Sequence, residues 1–237
     1  MSDFNAHRFE LLLPWQLWAI IERTPIAYIP LGTIEWHCEH LPVGLDALTA
    51  HGLCLRAAER TGGVVLPTLY YGTGGGHGAY PFTIMMPGPE EIEGQIAFTL
   101  KRLQDFGFKK AVIFSGHFPN AQYDMIMRLA ANATTSSFKV FVADPKRVEG
   151  LGLPPDHAGA FETTLLYALH PDLVQLNRLP SLKDAPLTTD DWSETRHDPK
   201  HPVYGVFGPD PRGFDPNKAT PLLEAATNWL VKKVEAT

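Results

Sequence analysis

Cysteine is nearly absent from this chain. Cys38 and Cys54 are the two in 237 residues, too few for the disulfide framework that staples small secreted domains. A basic excess is missing as well. Twenty Lys and Arg against 26 Asp and Glu leave a formal net charge of −6, so nothing electrostatic points to nucleic acid or an anionic membrane as partner. No apolar run approaches the roughly 18–20 residues of a membrane span. The opening MSDFNAHRFE lacks the basic-then-apolar order of a signal peptide, and a cytoplasmic protein is expected. No internal repeat is visible. What is present is an ordinary globular composition, 44% hydrophobic and 19% charged, long enough for one large α/β domain over 1–237.

Hydrophobic periodicity predicts an opening helix over 8–21, a first strand at 27–31 and a helix over 46–60 that Gly62-Gly63 stops. A second strand is expected at 64–70, followed by a glycine-rich loop over 72–78 that contains His77. Glu90 and Glu91 open a helix to Phe106, acids being favoured in a first turn. The apolar run 110–115 reads as a buried strand. Asn120 is expected to cap a helix over 121–132, and a strand at 138–143 and a helix over 158–169 follow. From 171 to 216 the chain is rich in Pro, Asp and Thr without periodicity, and is read as a lid or subunit contact. Thr220 as cap and Pro221 at the first position open a last helix. Strands alternating with helices imply a mostly parallel sheet covered on both faces.

Chemistry concentrates in the stretch IPLGTIEWHCEHLPVGLD, residues 29–46. Alternate strand residues share a face, so Glu35 and His37 are expected to point the same way. After the turn at 41–44, Asp46 returns at a helix start. A carboxylate, an imidazole and a returning carboxylate at one strand end can form a metal site, and open α/β sheets carry their sites there. Each residue also has an ordinary reading: a solvated strand face for Glu35 and His37, a helix cap for Asp46. Cys38 alternates away from them and reads as packing. His40 lies off the strand parity and reads as a hydrogen-bonding neighbour of the ligands. His117, after Gly116 at the end of a strand, projects toward the same crevice or is satisfied by a loop carbonyl. Glu162 faces inward from an apolar helix, which is costly unless a cation pairs it. His157 reaches the same place only if it sits before or at the first turn of that helix. His77 can serve its own site or a neighbouring subunit's. His7, His51, His170, His197 and His201 sit in no motif and read as surface or structural.

These pieces resemble the creatininase family of metal-dependent amidohydrolases over 27–167, with a weaker echo at Gly205-Val206-Phe207-Gly208. The family pattern G-[ST]-x-E-x-H-x-x-H-L-P-x-G-x-D is matched by Gly32 to Asp46, GH-x-x-N by Gly116 to Asn120, and HAG-x-x-ET by His157 to Thr163. The resemblance implies a three-layer α/β/α sandwich, two divalent ions (zinc or manganese, with iron a further candidate), and a homo-oligomer, hexamers being common. Carried over by position, Glu35 and His117 hold one metal, His37 the other, and Asp46 bridges them. Glu162 is the remaining carboxylate ligand, and His157 is the acid–base residue, with Asp156 beside it to orient the ring. His40, His77, Phe118 and Asn120 fall around them, as substrate contacts or behind the ligands.

The chain departs from the family in three places. Phe118-Pro119 stands where creatininases carry Tyr-Glu, so a metal ligand is missing and Glu162 or water must replace it. The serine of the family's Tyr-Gly-x-Ser loop is absent from 71–77. The creatinine-holding tryptophans before the HAG element are absent from 151–155. Creatinine itself is therefore not the expected substrate; a small cyclic amide or formamide is. The competing readings are a metal hydrolase that cleaves lactones or peptides, and a non-catalytic relative that binds a ligand.

Overall fold

The structure, a computed structural model, describes residues 4–187 and 191–236. Three residues of the irregular stretch, 188–190, lie outside them. Four strands, β1 (Ile26–Leu31), β2 (Val64–Val65), β3 (Lys110–Ser115) and β4 (Lys139–Ala143), form one parallel sheet in the order β2-β1-β3-β4. The helices are α1 (Pro14–Arg23), α2 (Leu45–Thr61), α3 (Glu90–Phe106), α4 (Asn120–Ala133), α5 (Ala160–Leu169) and α6 (Ala219–Ala236).

Strand alternation splits the apolar side chains between two cores. Ala27, Ile29, Leu31, Ala111 and Ile113 pack with Ile96, Leu100 of α3 and Met125, Ile126 of α4. Tyr28, Val112 and Phe114 pack with Leu53 of α2, Leu165 of α5 and Leu230 of α6 on the other face. The result is the expected three-layer α/β/α sandwich. Because β1 is flanked by β2 on one side and β3 on the other, the chain reverses its direction of travel between β1 and β3. A crevice opens at the carboxyl ends of strands at such a point.

Several boundaries differ from the sequence reading. Pro14 opens α1, and 4–7 and 9–11 are short 3₁₀ turns. The second strand stops at Val65 because Pro67 cannot donate to a ladder, although Leu66 and Leu69 still bond the carbonyls of Tyr28 and Pro30. Asn120 is the first residue of α4, with Pro119 before it, and does not cap. α6 begins at Ala219, so Thr220 and Pro221 lie inside its first turn. The described part of 171–216 packs back on the domain: Leu179, Val203 and Val206 share a third apolar cluster with Cys38, Leu41, Leu45 and Ala158. No helix among the described residues is long and apolar enough to cross a membrane.

Candidate metal centre

Two glycines set the depth of the crevice. Gly32 follows β1 and Gly116 follows β3, and both touch the first turn of α2. A Cβ on Gly32 would lie 2.2 Å from the Ala47 nitrogen, and one on Gly116 would lie 2.0 Å from the Asp46 carbonyl oxygen. Only bare backbone on both strands lets Asp46 sit between them. Past Leu31 the chain leaves the sheet, so Glu35 and His37 lie on a loop and not on the expected strand. They nevertheless share the crevice. Cys38 then takes a left-handed φ of 58° as the loop reverses, with its side chain in the third apolar cluster.

Each histidine of the cluster has one ring nitrogen committed to a backbone carbonyl. His37 Nδ1 donates to the Glu35 carbonyl at 2.9 Å, which leaves Nε2 bare, 3.1 Å from Asp46 Oδ1 and 3.5 Å from Glu162 Oε2. His117 Nε2 donates to the Gly74 carbonyl at 3.1 Å, which leaves Nδ1 bare, 3.0 Å from Glu35 Oε2 and 3.1 Å from Asp46 Oδ2. A carbonyl accepts only, so once the ring is neutral it fixes the tautomer and points the other lone pair inward, as the outer partners of metal-bound histidines do. Glu35 Oε2, His37 Nε2 and Asp46 Oδ2 are buried with no hydrogen-bond partner. Donor atoms that crowd together without bonding one another are costly unless a cation lies among them. Glu35, Asp46 and His117 form one group able to hold an ion; His37, Asp46 and Glu162 form a second; Glu35, His37 and His157 form a third. The residues fit the two divalent ions the resemblance implies, with Asp46 common to the first two groups.

The electrostatics carry the same demand for positive charge. Burial alone would lower His37, yet the Asp46, Glu162 and Glu35 carboxylates push it up to about 10. Burial likewise opposes charge on His117, and Glu35 and Asp46 raise it well above the usual imidazole range. Glu35 is held well below the carboxylate range: burial would raise it, but the histidines around it prevail. Glu162 is raised by burial, with Asp46 and Asp156 adding to it.

α5 supplies the far wall. His157 precedes it, as convergence with Glu162 required, and its strand-like pairing with Phe207 gives N–H···O bonds of 2.8 and 2.9 Å. Its Nε2 donates to the Trp36 carbonyl at 2.9 Å. Asp156 does not orient that ring as the sequence suggested. Its carboxylate accepts the backbone N–H groups of Gly159, Phe161 and Glu162 at the start of α5, and burial raises it to about 7. Glu162 accepts from the Ala158 N–H at 2.6 Å and groups with His37. It thus stands with His37 and Asp46 among the residues able to hold an ion, and it lines the same cavity as Pro119.

His40 stays out of all three groups. It meets Thr163 Oγ1 at 3.0 Å, and burial with nearby His37 lowers it to about 3. His77 reaches the site of its own chain, 2.7 Å from Glu35 Oε1. Phe118 and Pro119 line the cavity together with Gly116 and Glu162, whereas Asn120 is exposed and outside it. The cavity measures about 160 Å³, and its lining carries no Lys or Arg.

Sequence reasoning missed the supports. Gln122 of α4 accepts from the Thr73 N–H at 2.8 Å and donates to the His117 carbonyl at 3.3 Å. Arg196, fully buried, donates to the carbonyls of Val206 and Gly208 and holds the segment that pairs with His157. The carbonyls of Glu35, Gly74 and Trp36 have no sequence signal at all. A Gln one turn into a helix after GH was the one visible hint.

Comparison with known proteins identifies the family. A family model described as "Creatininase: Creatinine amidohydrolase" matches residues 15–234. The creatinine amidohydrolase of Pseudomonas putida is 31% identical over 209 residues, covering 78% of this chain and 75% of that protein. A solved structure described as a manganese creatininase superposes with a TM-score of 0.73 at 26% identity, covering 94% of this chain and 96% of that one. A Zn–Zn type creatininase mutant gives 0.71 at 25%, covering 94% and 95%. This chain belongs to the creatininase family of amidohydrolases.

Proposed function

We propose that this protein is a binuclear metal-dependent amidohydrolase that cleaves a C–N bond of a small cyclic amide or formamide. The observation that carries the reading is the pair of buried imidazoles, each pinned by a carbonyl, whose free nitrogens face carboxylates that meet at Asp46. Glu35, Asp46 and His117 would hold one ion, and His37, Asp46 and Glu162 the other. Bound there, zinc or manganese would supply Lewis acidity and a water acidic enough to attack at neutral pH.

The chain supplies the rest. His157 is held neutral well below the usual imidazole range, first by burial and then by His37 and His77. With Nε2–H donated to Trp36, its Nδ1 is the atom free to take a proton and return it to the leaving nitrogen. Phe118 and Pro119 offer an apolar wall. A cavity of about 160 Å³ is below the roughly 300–1,000 Å³ of ordinary ligand pockets, which favours a small substrate over a peptide. The lack of Lys or Arg in the lining favours a neutral one. As read from the resemblance, further copies of the chain are the expected partners.

The test is hydrolysis by chain loaded with Zn²⁺ or Mn²⁺, against a panel of cyclic amides, formamides and lactones. Turnover of a cyclic amide or formamide, abolished by chelation, is expected. Turnover of lactones alone, or of nothing despite bound metal, overturns the reading.

A further inference from the structure

Residues 72–78 touch the Glu35–Asp46–His117 group at two separate points. The Gly74 carbonyl accepts from His117 Nε2 at 3.1 Å, and His77 Nδ1 lies 2.7 Å from Glu35 Oε1. A carboxylate accepts, so in this hydrogen bond the His77 Nδ1–H donates. Glu35 Oε1 is thereby occupied, and Oε2 is the oxygen turned to His117. The loop itself is held hard. A Cβ at Gly72 would meet Gln122 Oε1 at 2.6 Å and the Gly32 carbonyl at 2.8 Å, and one at Gly74 (φ 80°) would meet Ala121 Cβ at 2.7 Å. The Thr73 N–H is tied to Gln122 and its hydroxyl to the Met86 carbonyl at 3.1 Å. The His77 ring is sandwiched, 4.0 Å from the His157 ring at 29° and 5.3 Å from Phe207 at 22°, with the Tyr80 ring edge-on at 4.9 Å.

We propose that His77 is a positioning residue with two separable tasks. Its Nδ1–H fixes the Glu35 carboxylate so that one oxygen remains for a cation, and its ring face fixes the His157 imidazole. The inference rests on the reading above that Glu35 holds a metal.

The two tasks come apart in a pair of variants. Asn carries a side-chain N–H where His carries Nδ1–H, but has no ring to stack. Mn²⁺ affinity of the full chain is measured by calorimetry for wild type, His77→Ala and His77→Asn, and kcat and KM are measured on the substrate found in the panel. His77→Ala is expected to weaken Mn²⁺ binding about 10- to 100-fold, as loss of a ligand's outer partner does. His77→Asn is expected to restore the affinity while kcat stays low and KM holds. Unfolding midpoints of the metal-free proteins identify a misfolded variant; if His77→Ala is one, His77→Asn alone carries the comparison. Wild-type affinity in His77→Ala, or equal weakness in both variants, overturns the inference while leaving the proposed function standing. A wild-type chain that binds no Mn²⁺ overturns both.

Discussion

Gly116→Ala is the sharpest perturbation the fold offers, because it moves a proposed ligand without removing it. The new methyl group would sit 2.0 Å from the Asp46 carbonyl oxygen and 2.7 Å from its carbon, against the 3.4 Å at which ordinary contact begins. The shortfall of about 1.4 Å is set by backbone on both sides, and no rotamer change relieves it. Either β3 or the first turn of α2 must shift by about an ångström, and Asp46 shifts with it. Overpacking of this kind costs about 1–3 kcal/mol, which for a chain of this length lowers the unfolding midpoint by several degrees. The functional loss should be larger than the stability loss: a misplacement of about 1 Å at a site costs on the order of 10²-fold. Gly32→Ala, at 2.2 Å from the Ala47 nitrogen, should behave alike, while Gly76→Ala, with no atom within 4 Å, is the neutral control. The assays are Mn²⁺ binding by calorimetry and thermal unfolding with and without metal. A Gly116→Ala protein that binds Mn²⁺ like wild type would refute the argument that bare backbone positions Asp46.

Replacing His157 by Ala should leave metal content unchanged and slow turnover by about 10²- to 10⁴-fold; loss of metal instead would move His157 among the ligands of the third group. Metal binding should release protons near pH 7. His37, at about 10, and His117, also raised, are protonated there without a cation, and ligation needs them neutral, so affinity should climb with pH across the neutral range. Calorimetry in buffers of different ionisation enthalpy reads the release, and identical heats in all of them would contradict it. Arg196→Ala should destabilise the chain by about 2–5 kcal/mol, since the buried carbonyls of Val206 and Gly208 lose their donor at about 1–3 kcal/mol each. Unfolding within about 1 kcal/mol of wild type would show that the 203–208 segment is held by its apolar contacts alone.

The layers of the fold were legible because apolar periodicity depends on neighbours along the chain. α3 and β3 fall at the residues expected, Glu90–Phe106 and Lys110–Ser115. Boundaries failed where one residue's backbone chemistry overrode periodicity, at Pro14, Pro67 and Pro119. Glu35 and His37 do meet in the crevice, but strand parity was the wrong reason: β1 ends at Leu31, and the loop's turn brings them round. Asp156 shows the opposite failure. Adjacency to His157 suggested a partner for that ring, while three backbone N–H groups of α5 had the stronger claim on the carboxylate. Contacts through carbonyls, such as Trp36 to His157 and Gly74 to His117, leave no trace in residue identity.

Five side chains from three distant segments are proposed to enclose a pair of cations. Crystals grown with Mn²⁺ and recorded across the manganese absorption edge test it directly. Two anomalous peaks per chain are expected, one among Glu35, Asp46 and His117 and one among His37, Asp46 and Glu162. A map with no peak in that crevice, under conditions that saturate binding in solution, would contradict it.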